Sequence, residues 1–237
     1  MQLNAIIFDM DGVLCATDDY HYRSWKEVVS QYGIPFTRQD NQELLGLTRR
    51  RSLITLLKGR SLPKEQMDEI LRRKNEVFLE FVNQMDASDL PPGVKELLDE
   101  LAASQVRLGV ASGSRNTGSV LKRLGIGSYM DVVVDGNTVR NSKPAPDAFL
   151  KTVSALGVSP SECLVIEDSQ AGVQAAQAAG ICVVGLGPHD RFHAASAVFP
   201  SLLGVSLEDL RQIHRNFLIS TSGFDQEHKF PLQKSER

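Results

Sequence analysis

Ala5-Ile6-Ile7-Phe8-Asp9-Met10-Asp11-Gly12 is a run of four apolar residues that ends in two carboxylates and a glycine. Such a run reads as a strand buried on both faces, as in the interior of a parallel sheet. A buried strand with two carboxylates at its end needs compensating charge, and a metal ion is the expected source. Gly12 lets the chain turn, so that Asp9 faces an incoming electrophile while Asp11 bends away beside it. That arrangement suits a nucleophile with a proton-handling neighbour. Taken alone, the pair is read as readily as a strand-to-loop turn, because Asp is common in turns.

Three later stretches change the balance: Ala111-Ser112-Gly113-Ser114, Ser142-Lys143-Pro144 and Glu167-Asp168-Ser169. Each follows, or falls shortly after, an apolar strand-like run. Two acids one residue apart, then a Ser, a Lys and an acidic pair, in this order, resemble the four motifs of the haloacid dehalogenase superfamily of phosphotransferases. The fold expected is an α/β doubly wound parallel sheet with an inserted all-helical cap. The boundaries expected are residues 1–16 and 88–215 for the core, 17–87 for the cap and 216–237 for a polar, Ser-rich tail without a clear period.

Periodicity agrees with that division. Tyr22, Trp25, Val28, Val29 and Tyr32 recur at helical spacing, and Gly33 and Pro35 end the pattern. More helix is expected over 40–45, 49–57 and 63–85, with Ser61 as an N-cap and Pro63 in the first turn. From 94 onward, helix and strand alternate: helices over 94–103, 116–124, 146–156, 170–179 and 207–213, and strands over 106–111, 132–134, 163–166 and 181–184. Residues 197–199 close the domain. Repeated βα units of this kind place a ligand site at the carboxyl ends of the strands, where all four motifs fall.

The chain has 237 residues, 42% hydrophobic and 23% charged, which suffices for one α/β domain and a smaller insertion. A net charge of −3 and a pI near 6.0 give no reason to expect nucleic-acid or anionic-membrane binding. Cys15, Cys163 and Cys182 lack metal-ligand spacing and read as reduced thiols. The N-terminal apolar run is too short for a secretory signal, and no stretch is long enough to span a bilayer. The expectation is a cytoplasmic monomer acting on a small molecule.

Phosphoryl transfer needs a nucleophile, positive charge on the phosphate oxygens and a proton carrier. Asp9 is the expected nucleophile. Asp9, Asp11, Glu167 and Asp168 are the expected ligands of a magnesium ion, and Ser112 and Lys143 the counter-groups for the phosphoryl oxygens. Glu167 and Asp168 also fit a helix N-terminal charge pair. Ser114, Arg115 and Asn116 open a helix and could hold a second phosphate or a sugar hydroxyl. In the cap, Lys74 falls within an apolar stripe, where it either snorkels outward or aims a cation into the crevice. His21 shares a face with Trp25 and is a structural or a site histidine. Arg49 is suited to a phosphate remote from Asp9.

The cap sequence carries a more specific resemblance, to the β-phosphoglucomutases of that superfamily. It rests on Tyr20-His21-Tyr22-Arg23-Ser24-Trp25-Lys26, Gly46-Leu47-Thr48-Arg49 and Arg73-Lys74-Asn75, besides the core motifs. It implies interconversion of β-D-glucose 1-phosphate and D-glucose 6-phosphate through the 1,6-bisphosphate. It also implies that Arg49 grips the non-transferring phosphate, that Asp11 shuttles a proton, and that His21, Trp25, Gly46, Leu47 and Lys74 line the substrate site. Two departures stand out: Cys15-Ala16-Thr17 where the family has Thr-Asp-Thr at the hinge, and Arg115 where it has lysine. A sugar-phosphate phosphatase shares the same first step and is the alternative. A dehalogenase would leave Asp11, Glu167 and Asp168 idle, and a silent binding scaffold would have lost a motif.

Overall fold

A computed structural model describes residues 2–44 and 47–224. Strand β1 is Ala5–Phe8, fully buried as its composition requires. Four helices follow: α1 (Asp18–Ser30), α2 (Arg38–Gln42), α3 (Arg49–Leu57) and α4 (Lys64–Val82). The alternating part comprises α5 (Val94–Ala102), β2 (Arg107–Ala111), α6 (Thr117–Arg123), β3 (Val132–Val134) and α7 (Asp147–Leu156). Strand β4 (Cys163–Glu167), α8 (Gln170–Ala178), β5 (Cys182–Leu186), β6 (Ala197–Phe199) and α9 (Leu207–Phe224) complete it.

All six strands are parallel, in the order β3-β2-β1-β4-β5-β6. The chain builds leftward from β1 and then returns to its other side. Strands β1 and β4 therefore flank the point where connections diverge, and a crevice opens beyond their carboxyl ends. Phe8 pairs in register with Val110 on one side and Ile166 on the other, which brings the ends of three strands level.

Side-chain alternation divides the sheet into two cores. Ile6, Phe8, Leu108, Val110, Leu164 and Ile166 pack on one face with α5, α6 and α9. Ala5, Ile7, Cys163, Val165 and Val183 pack on the other with α7 and α8. The helical insertion has a core of its own, with Trp25, Val28, Val29, Phe36, Leu53, Leu56, Ile70 and Val77 at its centre. Phe78, Val82 and Met85 of the same insertion join the first sheet core, so its helices are packed both on one another and on the α/β part.

Two local expectations are corrected. Pro63, in extended backbone, is the N-cap residue of α4, so the cap is not Ser61. Helix α9 runs on to Phe224, so residues 216–224 are helical where an unstructured tail was expected. Ile213, the buried His214 and Phe217 continue the stripe begun by Leu207 and Leu210 and pack on the core, which outweighs the weak helix propensity of Asn216, Ser220 and Thr221. Among the described residues no helix is long and apolar enough to cross a membrane.

Candidate active site

The backbone of Asp9 continues β1 by donating its N–H to the Ile166 carbonyl at 2.9 Å, which fixes the first carboxylate against β4. Gly12 has φ of +85°, and a Cβ there would lie 1.9 Å from Asp168 Oδ2. The turn thus serves both conformation and room. Beyond it, the two acids part company. Asp9 receives a hydrogen bond from Lys143 Nζ. Asp11 receives one from the Thr17 hydroxyl and lies 3.5 Å from His21 Nε2.

Lys143 is buried and shared: besides Asp9, its ammonium donates to Glu167 Oε2 at 2.7 Å and to the Ala111 carbonyl at 3.1 Å. Glu167 also accepts from Ser169, whose N–H and hydroxyl donate to Oε1 at 3.0 and 2.7 Å. Ser169 also caps α8 by accepting from the Gly172 N–H. Gly172 is required by packing, since a Cβ there would stand 1.9 Å from Glu167 Cδ.

Asp9, Glu167 and Asp168 each offer an oxygen within 4.8 Å of the others. Burial and the Glu167 charge push Asp9 well above the usual carboxylate range, only partly opposed by Lys143. Burial, then Glu167, Asp9 and Asp18, raise Asp168 in the same way. For Lys143, burial pulls downward but Asp9 and Glu167 outweigh it and hold the ammonium protonated. The Asp168 N–H donates to Glu167 Oε1 at 3.2 Å, while its carboxylate has no hydrogen-bond or ion-pair partner among the described residues. Crowded hard-oxygen donors short of positive charge are a fit for a divalent cation such as magnesium. The Asp11 carboxylate stands outside this group, turned to Thr17 and His21.

A cavity of about 500 Å³ lies between the strand ends and the helical unit. Ser112 lines it, its hydroxyl accepting from the Ser114 N–H at 3.0 Å. Lys74 does not snorkel: it is buried, 2.8 Å from His21 Nδ1 and over the rings of Phe78 and Trp25. Burial and the nearby Arg49 draw it well below an ordinary lysine. His21 stacks on Phe78 at 4.4 Å and is lowered by burial and Lys74, against the pull of Asp11. The network outweighs the burial of Asp11 and keeps that carboxylate below its ordinary range.

Arg49, Arg115 and Asn116 also line the cavity, together with Trp25, Leu47 and Ser114. Arg49 donates to Asn75 Oδ1 at 2.6 Å. Burial and the Arg115 charge lower its pKa, and among the described residues no carboxylate pairs with Arg49 or Arg115. The expected contribution of Gly46 lies outside the described residues. Sequence reasoning missed Thr17, Ser169, Asn75 and Asp18. Asp18 lines the cavity with a buried Oδ1 that has no hydrogen-bond partner. Thr17 and Ser169 each stand just before a helix, a signal that predicts a cap but not a partner for a catalytic acid.

An acidic, lysine-clamped site thus lies at the switch point of a parallel sheet, beneath a helical unit. The chain belongs to the haloacid dehalogenase-like hydrolase family, whose sequence pattern matches residues 6–186. It is 34% identical to the β-phosphoglucomutase of Bacillus subtilis (strain 168) over 224 residues, 93% of this chain and 99% of that one. It is 33% identical to a phosphorylated carbohydrates phosphatase of Thermotoga maritima, over 76% of this chain and 82% of the relative. The crystal structure of a β-phosphoglucomutase from Clostridium difficile superposes with a TM-score of 0.89 at 30% identity, covering 92% of this chain and all of that one.

Proposed function

We propose that the protein is a magnesium-dependent phosphoryl-transfer enzyme that interconverts β-D-glucose 1-phosphate and D-glucose 6-phosphate through the 1,6-bisphosphate. The observation that carries this reading is the lining of the cavity, which joins the acids and Lys143 of the strand ends to Arg49 and Arg115, neither paired with a carboxylate among the described residues. A sugar with a phosphate at each end matches both. The likeness to the Bacillus subtilis mutase along nearly the whole of both chains supports the same substrate class.

In this reading Asp9 attacks phosphorus through the oxygen that Lys143 leaves unoccupied. The P–O bond to the sugar breaks and an aspartyl phosphate forms. Asp11, held ionised, takes the proton of the sugar hydroxyl that attacks the aspartyl phosphate and returns it to the sugar oxygen that departs when Asp9 is phosphorylated again. Thr17 and His21 orient it for both tasks. Ser112 and Lys143 face the phosphoryl oxygens, while Arg49, Ser114, Arg115 and Asn116 hold the second phosphate. Asp9, Glu167 and Asp168 would hold magnesium, which when bound screens the repulsion between Asp9 and the phosphoryl group.

A sugar-phosphate phosphatase is the second reading, favoured by the Thermotoga maritima relative. The two differ in whether water or a sugar hydroxyl attacks the aspartyl phosphate. Supplying β-glucose 1-phosphate, magnesium and a trace of bisphosphate and measuring glucose 6-phosphate against free phosphate separates them. Glucose 6-phosphate as the main product is expected; free phosphate in its place would establish the phosphatase.

A further inference from the structure

Asn75 lies on α4, one residue after Lys74, yet it is not among the residues that line the cavity. It stands behind two that are. Its Oδ1 accepts from Arg49 Nη2 at 2.6 Å and from Asn116 Nδ2 at 2.8 Å. Arg49 opens α3 of the helical unit, and Asn116 is the N-cap residue of α6 in the α/β unit. One carboxamide oxygen therefore joins the two sides of the cleft at the wall where the arginines stand.

The chemistry of that oxygen matters. Arg49 faces the like charge of Arg115, and no carboxylate restrains it among the described residues. A neutral acceptor holds the guanidinium against this repulsion without neutralising it, so its charge stays available to an anion. An aspartate at the same place would form an ion pair and consume that charge. A second contact, Arg123 Nη2 to Asn83 Oδ1 at 2.9 Å, joins α6 to the residue that caps the end of α4. Residues 75 and 83 are roughly two turns apart, so the two contacts set the register of one helix on the other.

We infer that Asn75 is a positioning residue that presets Arg49 and Asn116 as a two-donor clamp for the second anionic group of the substrate. This rests on the reading of the arginine wall as the site of a phosphate remote from Asp9. Because one donor comes from each unit, the clamp is complete only when the helical unit is seated on the α/β unit.

The test compares Asn75→Ala, Arg49→Ala and the double variant. Each is assayed for KM and kcat in glucose 1,6-bisphosphate-dependent turnover, and for hydrolysis of p-nitrophenyl phosphate, which has no second anionic group. Asn75→Ala is expected to raise KM for the bisphosphate about tenfold, the scale of one charge-assisted hydrogen bond, and to leave aryl phosphate hydrolysis unchanged. In the Arg49→Ala background the same substitution should change KM by less than about twofold, the non-additivity of groups that act as a unit. Full additivity, or an equal loss on the aryl phosphate, would overturn the positioning role. If Arg49→Ala itself leaves KM unaltered, the arginine wall is not a phosphate site, and the reading beneath the proposal is what has failed. Should Asn75→Ala not fold, Asn116→Ala approaches the clamp from the other side. It too should raise KM selectively for the bisphosphate, and no such rise would overturn the clamp.

Discussion

The two walls of the cavity are built differently. At the strand ends, Asp9, Lys143 and Glu167 are buried, their bonds run between β1, β4 and the loop before α7, and each charge has an assigned partner or ligand place. On the second wall, Arg49 and Asn116 are half-buried and share one amide oxygen, that of Asn75, and Arg115 is exposed. Groups fixed on strands hold the tight geometry that bond-making needs, while groups on helix ends and loops can be exchanged at small cost to the fold. In the proposed reading the strand-end wall carries out the chemical step and the second wall selects the substrate. This division accounts for a mutase and a phosphatase standing at nearly the same identity to one chain.

That contrast can be broken most forcefully at Asp9. Asp9→Asn should lower turnover on every phosphate ester by about 10³-fold or more, because the nucleophile is gone whichever substrate is bound. A loss confined to sugar phosphates would move Asp9 to the recognition side. Asp11→Asn comes next. It should cost about 10²-fold in kcat, the scale of general acid–base catalysis, with KM for the sugar phosphate little changed. A rise in KM at constant kcat would show Asp11 to be a binding group.

The second wall should respond in the opposite sense. Arg49→Ala is expected to raise KM for the bisphosphate roughly tenfold to a hundredfold while p-nitrophenyl phosphate hydrolysis stays within twofold of the unaltered protein. Equal loss on both substrates would mean that the arginine supports the structure of the site and not the grip on a distant anion.

The smallest effect concerns stability alone. His214 is buried on α9, its Nε2 2.9 Å from the Ser161 carbonyl, and burial lowers its pKa below the ordinary 6.5. The unfolded chain then takes up a proton near pH 6.5 while the folded one resists until lower pH, so stability falls as the pH drops through that window. The melting temperature should decline between pH 7 and 5 by a few degrees more than in His214→Gln, on a scale of about 2–4 °C per kcal/mol. Identical acid sensitivity in both proteins would exclude this histidine as the source.

Much of the strand-end wall was legible beforehand because it obeys local rules. Four apolar residues before Asp9, the turn at Gly12 and the apolar run before Glu167 announce buried parallel strands, and the order of the four motifs places their ends together. The length of α9 was not legible, since Asn216 and Ser220 are poor helix formers and it is packing, such as that of Phe217 on the core, that favours the extra turns. Lys74 was undecided between solvent and crevice until the rings of Trp25 and Phe78 and the nitrogen of His21 were seen around it.

Sequence by itself determined the class of fold, the insertion of a helical unit after the first strand, and the identity of Asp9, Lys143, Glu167 and Asp168 as one group, because strand burial and motif order are properties of neighbouring residues. Tertiary structure alone decided that Asp11 turns to Thr17 and His21, that Lys143 bridges two carboxylates, and that Asn75 ties Arg49 to Asn116. Those choices depend on which side chains, 6 to 134 residues apart in the chain, meet within hydrogen-bond reach. Distance of that kind is set by packing, and no local pattern records it.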